Sequence, residues 1–373
     1  MSRSTTTRRD FIRTTGASLA AVPFVAASAE QAATPPAPQR TFGYAIVGIG
    51  DLATDAILPA FANTTRSRVM GLVSGDIEKA RATAKQYGVP DRGLYSYDTF
   101  DRIVDNPDID AVYIVLPNNL HADYTIRAHK AGKHVLVEKP MANTVAECDA
   151  MIAAAKQANR QLLVGYRLRY EPYTQAMIRM AREQEFGPTR AIVCEAGFNI
   201  GNPAQWRLTK AVAGGGSMMD IGIYSVNAAR YLSGEEAVEV YATEYSTPGD
   251  PRFKEVEETV HFHMRFPSGV IASCMSSYGV PLNRFRVHAL RGSFEMEPAW
   301  SRTGLRLRVM RGSTVEQRYL PQRDHFALMM DHLAERAATN TAPLTDGIDG
   351  RHDMRVIEAV YESMRTKRPV ALG

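Results

Sequence analysis

Short apolar runs alternate with amphipathic segments between residues 44 and 165 of the sequence. The apolar runs predict strands at Tyr44–Val47, Arg68–Val73, Ile109–Leu116, His134–Val137 and Gln161–Gly165. The segments between them predict helices at Ala53–Phe61, Ile77–Tyr87, His121–Lys130 and, from a capping box at Thr144–Glu147, to about Ala158. Pro59 must kink the first helix or lie near its first turn. Strands that alternate with helices in this way indicate a parallel, doubly wound sheet.

The pattern changes after residue 166, where successive short apolar runs follow one another with brief turns. Helices are predicted at Tyr173–Arg182, Met218–Leu232, His325–Ala338 and Gly350–Thr366. Strands are predicted at Ala191–Ala196, Val238–Tyr245, Thr259–Phe266, Val270–Ser276, Phe285–Leu290, Ser293–Met296, Leu305–Met310 and Val315–Leu320. The fold class is therefore α/β, with a parallel-sheet domain over residues 41–166. A C-terminal α+β domain with a large, mostly antiparallel open sheet is expected over residues 167–373.

The first 29 residues have the order of features that marks an export signal. The pair Arg8-Arg9 precedes an apolar run, residues 16–25, and the small residues Ala27-Ser28-Ala29 follow it. We expect a twin-arginine signal peptide over residues 1–29, and hence the twin-arginine export machinery as a partner and the periplasm as the destination. The alternative is a disordered basic N-terminus. Residues 30–40 contain three prolines, which predicts an extended arm.

Charge and cysteine content exclude several classes of function. The chain carries a net charge of +4, and the predicted leader holds four arginines against one aspartate, so the remainder is nearly neutral. Without basic runs, neither nucleic acid nor, after export, a membrane is expected as a partner. The three cysteines, Cys148, Cys194 and Cys274, are too far apart in sequence for a disulfide framework or a zinc pattern, so no metal site is expected.

A glycine-rich turn directly follows the first predicted strand, at Gly48-Ile49-Gly50-Asp51-Leu52-Ala53. Gly48 permits the tight turn, Gly50 allows a pyrophosphate to approach the backbone, and Ala53 packs close to the sheet. The free N–H groups of the helix that follows would face the phosphates. This context predicts a Rossmann dinucleotide-binding domain, and the alternative is a strand–helix turn with only a structural role.

The end of the second strand bears on which dinucleotide is bound. Enzymes that use NAD usually place Asp or Glu there, on the ribose hydroxyls. Here the strand is followed by Ser74-Gly75, and Lys79 and Arg81 come a few residues later. A hydroxyl and a cation suit the 2′-phosphate of NADP, although the nearby Asp76 counts against it. Alternatively, Lys79 and Arg81 are part of a solvated helix surface.

Two separate segments carry residues suited to proton transfer. Glu138-Lys139-Pro140 ends a parallel strand, at the edge of the sheet where ligands bind. Three glycines, residues 214–216, precede Ser217, a candidate helix N-cap, and allow another backbone or a ligand to come close. Asp220 and Tyr224 then lie one helical turn apart, on one face. A cationic Lys139 beside Tyr224 would favour proton transfer from a sugar hydroxyl. The alternative is an amphipathic helix with a buried tyrosine.

These motifs together resemble the Gfo/Idh/MocA family. The glycine-rich turn, Leu116-Pro117-Asn118, Glu138-Lys139-Pro140 and residues 220–224 occur in that family's order. The segments at residues 44–48, 72–75, 132–134, 205–207 and 214–224 are most similar to its glucose–fructose oxidoreductase branch. The resemblance is weaker over residues 194–203 and after residue 278, which are expected to line the sugar pocket. The second sugar is therefore left open as either a ketose or an aldose.

The resemblance implies NADP that does not dissociate, an N-terminal arm that covers it, and a ping-pong cycle. In that cycle an aldose is oxidised to its lactone and a second sugar is reduced to a polyol. Lys139, Asp220 and Tyr224 are then expected to be catalytic. A homodimer or homotetramer is expected, because open sheets in this family usually pair. The implied cofactor contacts are Gly48, Ile49, Gly50, Asp51, Leu52, Ser74, Lys79, Leu116, Pro117, Asn118, His121, Glu138, Lys139, Arg167, Trp206 and Arg207.

Three other functions remain open on the sequence. One is an NAD-dependent glycosidase of the same fold, although that group lacks the Asp-Ile-Gly-Ile-Tyr pattern of residues 220–224. Another is a dehydrogenase with exchangeable NAD(P), which export disfavours because the periplasm offers no pool of the cofactor. The third is a non-catalytic protein that binds NADP or a sugar, against which the intact Lys139, Asp220 and Tyr224 argue.

Overall fold

Six parallel strands form the first sheet of the computed structural model, which describes residues 40–373. The predicted signal peptide and, except for Arg40, the predicted arm lie outside the described residues. The strand order is β3-β2-β1-β4-β5-β6, and every neighbouring pair is parallel. The strands are β1 Phe42–Val47, β2 Ser67–Val73, β3 Leu94–Tyr95, β4 Ala111–Ile114, β5 His134–Val137 and β6 Leu162–Val164. The predicted doubly wound parallel sheet is confirmed.

Helices connect these strands, and two of them, which follow Asp76 and Thr144, begin at a capping side chain. The helix after β1 starts as a π-helical turn, Ala53–Ile57, and the amide of Leu58 accordingly donates to the carbonyl of Ala53. It continues as α1 Leu58–Ala60, so Pro59 lies in the first turn of the α-helical part, where a missing N–H is tolerated. The capping box at Thr144 is present. The other helices are α2 Ile77–Tyr87, α3 His121–Lys130 and α4 Val145–Ala158.

Nine strands form the second sheet, in the order β14-β13-β12-β11-β7-β10-β9-β8-β15. Only β7 and β10 are parallel, so the prediction of a mostly antiparallel sheet is confirmed. The strands are β7 Thr189–Gly197, β8 Glu239–Tyr245, β9 Thr259–Arg265, β10 Ile271–Ser277, β11 Leu282–Ala289, β12 Gly292–Met296, β13 Leu307–Arg311, β14 Thr314–Arg318 and β15 Val370–Ala371.

One face of the second sheet is covered by helices and the other is open. Along β9 buried and exposed residues alternate, with Phe262 and Met264 buried and His261 and His263 exposed. The buried residues pack into a cluster with three of the helices that follow the first sheet, α5 Pro172–Arg182, α7 Ile223–Ser233 and α9 Gly347–Thr366. The other two α-helices described in this part of the chain are α6 Lys210–Ala213 and α8 His325–Thr339.

Helix α8 returns to the first sheet although it comes late in the chain. The Tyr44 hydroxyl donates to the carbonyl of Met330 at 2.8 Å, and both residues lie in one buried cluster with Leu136, Leu163 and Leu333. Residues on both sides of position 166 therefore build the core under the first sheet. The loop that leads into α8 consequently lies near the sheet edge where the glycine-rich turn is found.

The cysteines and helix lengths add two findings. Cys148, Cys194 and Cys274 are all unpaired and buried, as expected of small apolar side chains. Within residues 40–373, no helix combines the length and the apolar character needed to cross a membrane.

Candidate active site

The glycine-rich turn lies at the carboxyl end of β1 and has the geometry that its sequence predicts. Gly48 has a φ of +93°, and a Cβ there would lie 2.4 Å from the carbonyl oxygen of Val115, so only glycine fits. Ile49 is buried, whereas Gly50 and Asp51 are exposed. A Cβ on Gly50 would meet no atom within 4 Å, which leaves this stretch of backbone open to a ligand.

Ser74 directly follows β2, and Lys79 lies in the first turn of α2. Ser74 is buried, and its hydroxyl accepts a hydrogen bond from the amide of Asp76 at 3.1 Å. Asp76 caps α2, because its carboxylate accepts from the backbone amide of Lys79 at 3.0 Å. The capping role gives Asp76 a structural use that the sequence did not reveal. The side chain of Lys79 is exposed.

His121 joins the loops that follow β4 and β5. Its Nε2 lies 2.9 Å from the carbonyl oxygen of Leu116, and its Nδ1 lies 2.8 Å from that of Pro140. Burial lowers the pKa of His121, and these carbonyl contacts oppose that shift. The neighbouring Asn118 donates to the carbonyl of Ala213 at 2.9 Å, while Pro117 precedes it in the same loop. These side chains thus fix the two loops to each other and to the segment before the three glycines.

Glu138 and Lys139 leave the end of β5 in different directions. The hydroxyl of Tyr113 donates to the Glu138 carboxylate at 2.6 Å, and burial raises the pKa of this carboxyl group. The ammonium of Lys139 donates to the Oδ1 of Asp220 at 3.0 Å and to its backbone carbonyl at 2.6 Å. The structure therefore brings the two predicted catalytic segments together.

Asp220 is the centre of a small charged cluster. Its Oδ2 accepts a hydrogen bond from the Tyr278 hydroxyl at 3.0 Å and lies 3.3 Å from the Nε of Arg207. Burial raises the pKa of Asp220, but the charges of Lys139 and Arg207 more than offset this, so the net pKa is lowered. Burial likewise lowers the pKa of Lys139, and the charge of Asp220 reverses the shift. The pair is therefore held as ammonium and carboxylate.

Tyr224 lies beside this cluster with its ring enclosed. The Lys139 ammonium is 5.1 Å from the ring centroid, and the Arg167 guanidinium is 5.5 Å from it. Trp300 stacks on the ring, with centroids 6.0 Å apart and an interplanar angle of 29°. These contacts are all with the ring, and Tyr224 is one of the residues that line the adjacent cavity. Lys139 thus contacts both the ring of Tyr224 and the carboxylate of Asp220.

Arg167 fixes the wall of the cavity. Its guanidinium donates to the backbone carbonyls of Trp300 at 2.5 Å and Ser301 at 3.3 Å, and lies 3.0 Å from the Nδ1 of His325. Burial lowers the pKa of His325 to about 4, and the charge of Arg167 adds to the effect. Arg167 thus links the end of β6, the loop after β12 and the start of α8.

A cavity of about 370 Å³ joins the glycine-rich turn to the charged cluster around Asp220. It is lined by Asp51, Leu52, Asp55, Glu138, Lys139, Arg167, Phe198, Gln205, Arg207, Asp220, Ile221, Tyr224, Trp300, Ser301, Arg302 and Phe326. The lining includes residues from 194–203 and from beyond residue 278, the two segments that the sequence assigned to the sugar pocket. Trp206, predicted beside the cofactor, is not among these lining residues and packs under the Arg207 guanidinium.

The sequence missed Tyr278, Trp300 and Phe326 as individual site residues. Trp300 and Phe326 line the cavity, and Tyr278 contributes through its hydrogen bond to Asp220. Each comes from a distant part of the chain and joins the site through the folding of the second sheet and α8 against the first sheet. No spacing in the sequence links them to Lys139 or Tyr224. The only sequence signal for these residues was the weaker resemblance to the family after residue 278. That signal indicated a region of the chain and no individual residue.

The prediction that Ser217 caps the catalytic helix is wrong. The backbone of Ser217 is already helical, and its hydroxyl pairs with that of Ser276 at 3.0 Å. The helix begins as a π-helical turn, Met218–Gly222, and continues as α7. Its first amides are bound instead by Glu257, which lies just before β9.

Among residues 40–373, no group of three or more His, Cys, Asp or Glu side chains is placed to hold a metal ion.

Two family models match the chain. The model described as "Oxidoreductase family, NAD-binding Rossmann fold" matches residues 42–166, and "GFO/IDH/MocA C-terminal domain" matches residues 174–295. Together they cover both sheets up to β12. The N-terminal match contains the glycine-rich turn and Lys139, and the C-terminal match contains Asp220 and Tyr224.

Individual relatives act on sugars or sugar derivatives. D-xylose 1-dehydrogenase [NADP(+)] from Haloarcula marismortui is 30% identical over 341 residues, covering 88% of this chain and 92% of that protein. The 1,5-anhydro-D-fructose reductase of Ensifer adhaerens is 30% identical over 253 residues, covering 67% and 74%. The crystal structure of aldose-aldose oxidoreductase from Caulobacter crescentus complexed with glycerol has a TM-score of 0.88 and 50% identity, covering 89% of this chain and all of that one.

Proposed function

This chain belongs to the Gfo/Idh/MocA family of oxidoreductases, and we propose that it transfers hydride between two sugars with tightly bound NADP. It oxidises an aldose to its lactone and then reduces a second sugar to a polyol. The observation that carries the proposal is the cavity in which Lys139, Asp220 and Tyr224 face the dinucleotide turn. The 50% identity to an aldose-aldose oxidoreductase supports an aldose as the second sugar.

The residues of the first sheet fit NADP. Gly48 provides a turn that no side chain could occupy, and Gly50 leaves open space above the backbone. The Ser74 hydroxyl and the Lys79 ammonium would hold the 2′-phosphate, because a cation and a hydroxyl suit that group. The NADP specificity of the D-xylose 1-dehydrogenase, 30% identical, agrees with this assignment.

Tyr224 is the proton-transfer residue. When bound, the cofactor supplies the hydride acceptor for the first sugar and the hydride donor for the second. The Tyr224 oxygen, as phenolate, takes the proton from the anomeric hydroxyl of the aldose and becomes a hydroxyl, which later gives that proton to the carbonyl oxygen of the second sugar and returns to phenolate. Trp300, Lys139 and Arg167 all contact the ring, which restricts the positions that the Tyr224 side chain can take in the cavity.

Lys139 and Asp220 prepare the site for this transfer. The Lys139 ammonium stabilises negative charge on the Tyr224 oxygen and donates a hydrogen bond to the sugar hydroxyl. Asp220 holds that ammonium in place, with Arg207 and Tyr278 as its other partners. The carboxylate of Asp220 lies between the cations of Lys139 and Arg207, so the cluster has a net positive charge. This charge favours the anionic state of the Tyr224 oxygen.

The ping-pong cycle fits an exported enzyme. A protein folded around NADP before twin-arginine export would carry its cofactor to the periplasm, where no pool exists to replace it. Regeneration by a second sugar then removes the need for exchange. We also propose a homodimer or homotetramer. It would form through the open face of the second sheet, where His261 and His263 are exposed.

The test is an absorbance measurement at 340 nm on extensively dialysed protein with no added cofactor. We expect glucose to raise the absorbance and a second sugar to reverse the rise. Denaturation should then release NADP in about equal amount to the protein. Absence of both the rise and the released cofactor would contradict the proposal. Release of free sugar from an aryl glycoside would instead identify a glycosidase.

A further inference from the structure

Three consecutive amides at the start of the catalytic helix all donate to one residue, Glu257. The amide of Gly216 lies 2.9 Å from the Oε2 of Glu257, and that of Met218 lies 2.9 Å from its Oε1. The amide of Ser217 lies 3.3 Å from the backbone carbonyl of the same residue. These are the N–H groups that a helix cannot satisfy internally at its first turn.

The carboxylate is enclosed and held from the far side. Glu257 is 7% exposed, and the hydroxyl of Tyr361, on α9, donates to its Oε1 at 3.0 Å. Burial raises the pKa of Glu257, and the amides of Met218 and Gly216 oppose that shift by favouring the carboxylate. A negative charge at this end of a helix is also stabilised by the helix dipole.

The glycines before the helix are explained by the same contacts. A Cβ on Gly216 would lie 2.2 Å from the backbone oxygen of Glu257, and one on Gly215 would lie 1.9 Å from the Tyr361 hydroxyl oxygen. Both positions must therefore be glycine for Glu257 and Tyr361 to approach the helix. The sequence left open whether another part of the backbone or a ligand comes close to these glycines. At Gly215 and Gly216 the neighbouring atoms belong to the protein itself.

We propose that Glu257 is a positioning residue for the sugar oxidoreductase reaction. By fixing the first turn of the helix it sets where Asp220 and Tyr224 stand relative to Lys139. The inference rests on the proposed function, because it assigns to Glu257 the task of aligning the proton-transfer group. Asp220 lies two residues after Met218, whose amide Glu257 binds, and Tyr224 lies six residues after it. A shift of the helix at Glu257 would therefore move both side chains.

Alignment of this kind acts on the rate of the chemical step. A misplacement of about 1 Å at a catalytic group costs on the order of 100-fold in rate. A glutamine at position 257 offers one acceptor oxygen and a donor NH₂ group where the carboxylate offers two acceptors. Its NH₂ group would face either the amide of Gly216 or that of Met218. The E257Q variant should therefore fold but leave the first turn poorly held.

The neighbouring Glu258 provides a matched control. It is 8% exposed, but its carboxylate accepts from the amide and the hydroxyl of Thr247, at 2.8 and 2.7 Å. The E258Q variant makes the same chemical change one residue away, at nearly the same burial. Its carboxylate is hydrogen-bonded to the segment after β8, whereas the carboxylate of Glu257 is hydrogen-bonded to the first turn of the helix. The E257D variant keeps both oxygens and tests rescue by a shorter carboxylate.

The experiment measures reduction of the bound cofactor in a single turnover, at 340 nm, over a range of glucose concentrations. We expect E257Q to lower the limiting rate by about 10- to 100-fold. The half-saturating glucose concentration and the amplitude should stay within about threefold of wild type. E257D should recover part of the rate, and E258Q should match wild type. Hydrogen exchange in peptides covering residues 214–224 should be faster in E257Q only.

Each other outcome overturns the inference. A limiting rate in E257Q equal to wild type removes any positioning role. A reduced amplitude with an unchanged rate, or equal losses in E257Q and E258Q, would mean only that less protein folds correctly. If wild type itself shows no absorbance change, the proposed function fails separately. In that case only the hydrogen-exchange measurement tests Glu257. Equal exchange of residues 214–224 in E257Q and wild type would overturn the role of Glu257 in holding this helix.

Discussion

The ammonium of Lys139 lies 3.0 Å from the Oδ1 of Asp220 and donates a second hydrogen bond to the backbone carbonyl of that residue. Both side chains are largely buried, at 13% and 18% exposure. One lysine from the end of a parallel strand is thereby fixed to the first turn of a helix from the other half of the chain. This contact places the ammonium beside the ring of Tyr224.

The Tyr224→Phe variant removes the hydroxyl and keeps the ring contacts with Lys139, Arg167 and Trp300. We expect turnover to fall by about 100-fold or more, the usual contribution of a general acid–base group. The bound NADP, measured after denaturation, should stay unchanged. Tyr231→Phe, on the same helix, is the control and should keep its activity. Activity in Tyr224→Phe close to that of the control would remove Tyr224 from the mechanism.

The Asp220→Asn variant tests the ion pair. The charge of Asp220 raises the pKa of Lys139 against the effect of burial, so its removal should lower that pKa. The ammonium would then be lost at a lower pH, and the alkaline limb of the kcat profile should move to lower pH. A profile between pH 6 and 10 on both proteins measures this shift. An unmoved alkaline limb would show that Lys139 does not control it.

The Gly50→Ala variant tests the cofactor turn. A Cβ at this position meets no protein atom within 4 Å, so the fold should be retained. If the pyrophosphate lies against this backbone, the added methyl group should displace it, and bound NADP should fall by at least about tenfold. Gly88→Ala, also in open space but with a φ of +67°, is the control for backbone change alone. Full cofactor content in Gly50→Ala would place the phosphates elsewhere.

The Lys79→Ala variant tests the preference for the 2′-phosphate. Loss of the cation should reduce the NADP recovered from the protein relative to NAD, measured by chromatography after denaturation. Arg81→Ala is the matched control, because Arg81 is exposed and lies 3.7 Å from Glu78, within its own helix. Equal NADP content in both variants would show that Lys79 is only a solvated helix residue.

Much of the fold could be predicted because the parallel strands are buried on both faces. Their apolar runs, such as residues 44–47, stand out against the amphipathic helices between them. Two strands were missed, β3 Leu94–Tyr95 and β15 Val370–Ala371, because two residues are too short to show a period. The domain division near residue 166 was placed by a change in pattern, and nothing in that pattern showed that α8 returns to the first sheet.

The site was predictable only where its residues stand in local motifs. Lys139, Asp220 and Tyr224 lie in segments whose order resembles a family, and the structure brings them together. Tyr278 and Glu257 reach the same helix through strand pairing and loop approach, which no spacing encodes. The π-helical turn at Met218–Gly222 was predicted as plain α-helix, because four of its five residues are buried and the sequence there shows no amphipathic period that could reveal the wider turn.

Stability should fall as the pH is lowered below neutral. Burial lowers the pKa of His129 to about 4, and burial moves His134, His325 and His332 in the same direction. A histidine whose folded pKa is depressed stays neutral in the native state while the unfolded chain takes up a proton. The unfolded state therefore binds more protons between about pH 6.5 and 4, and the free energy of unfolding decreases through that window as pH falls.

His129 allows this dependence to be measured at one residue. Its side chain is 1% exposed, so His129→Asn should flatten the slope of unfolding free energy against pH by at most about 1.4 kcal/mol per pH unit. Urea unfolding at several pH values between 4.5 and 7.5 gives both slopes. A slope in His129→Asn as steep as in wild type would show that His129 becomes protonated in the folded protein, with its pKa near the unfolded value despite burial.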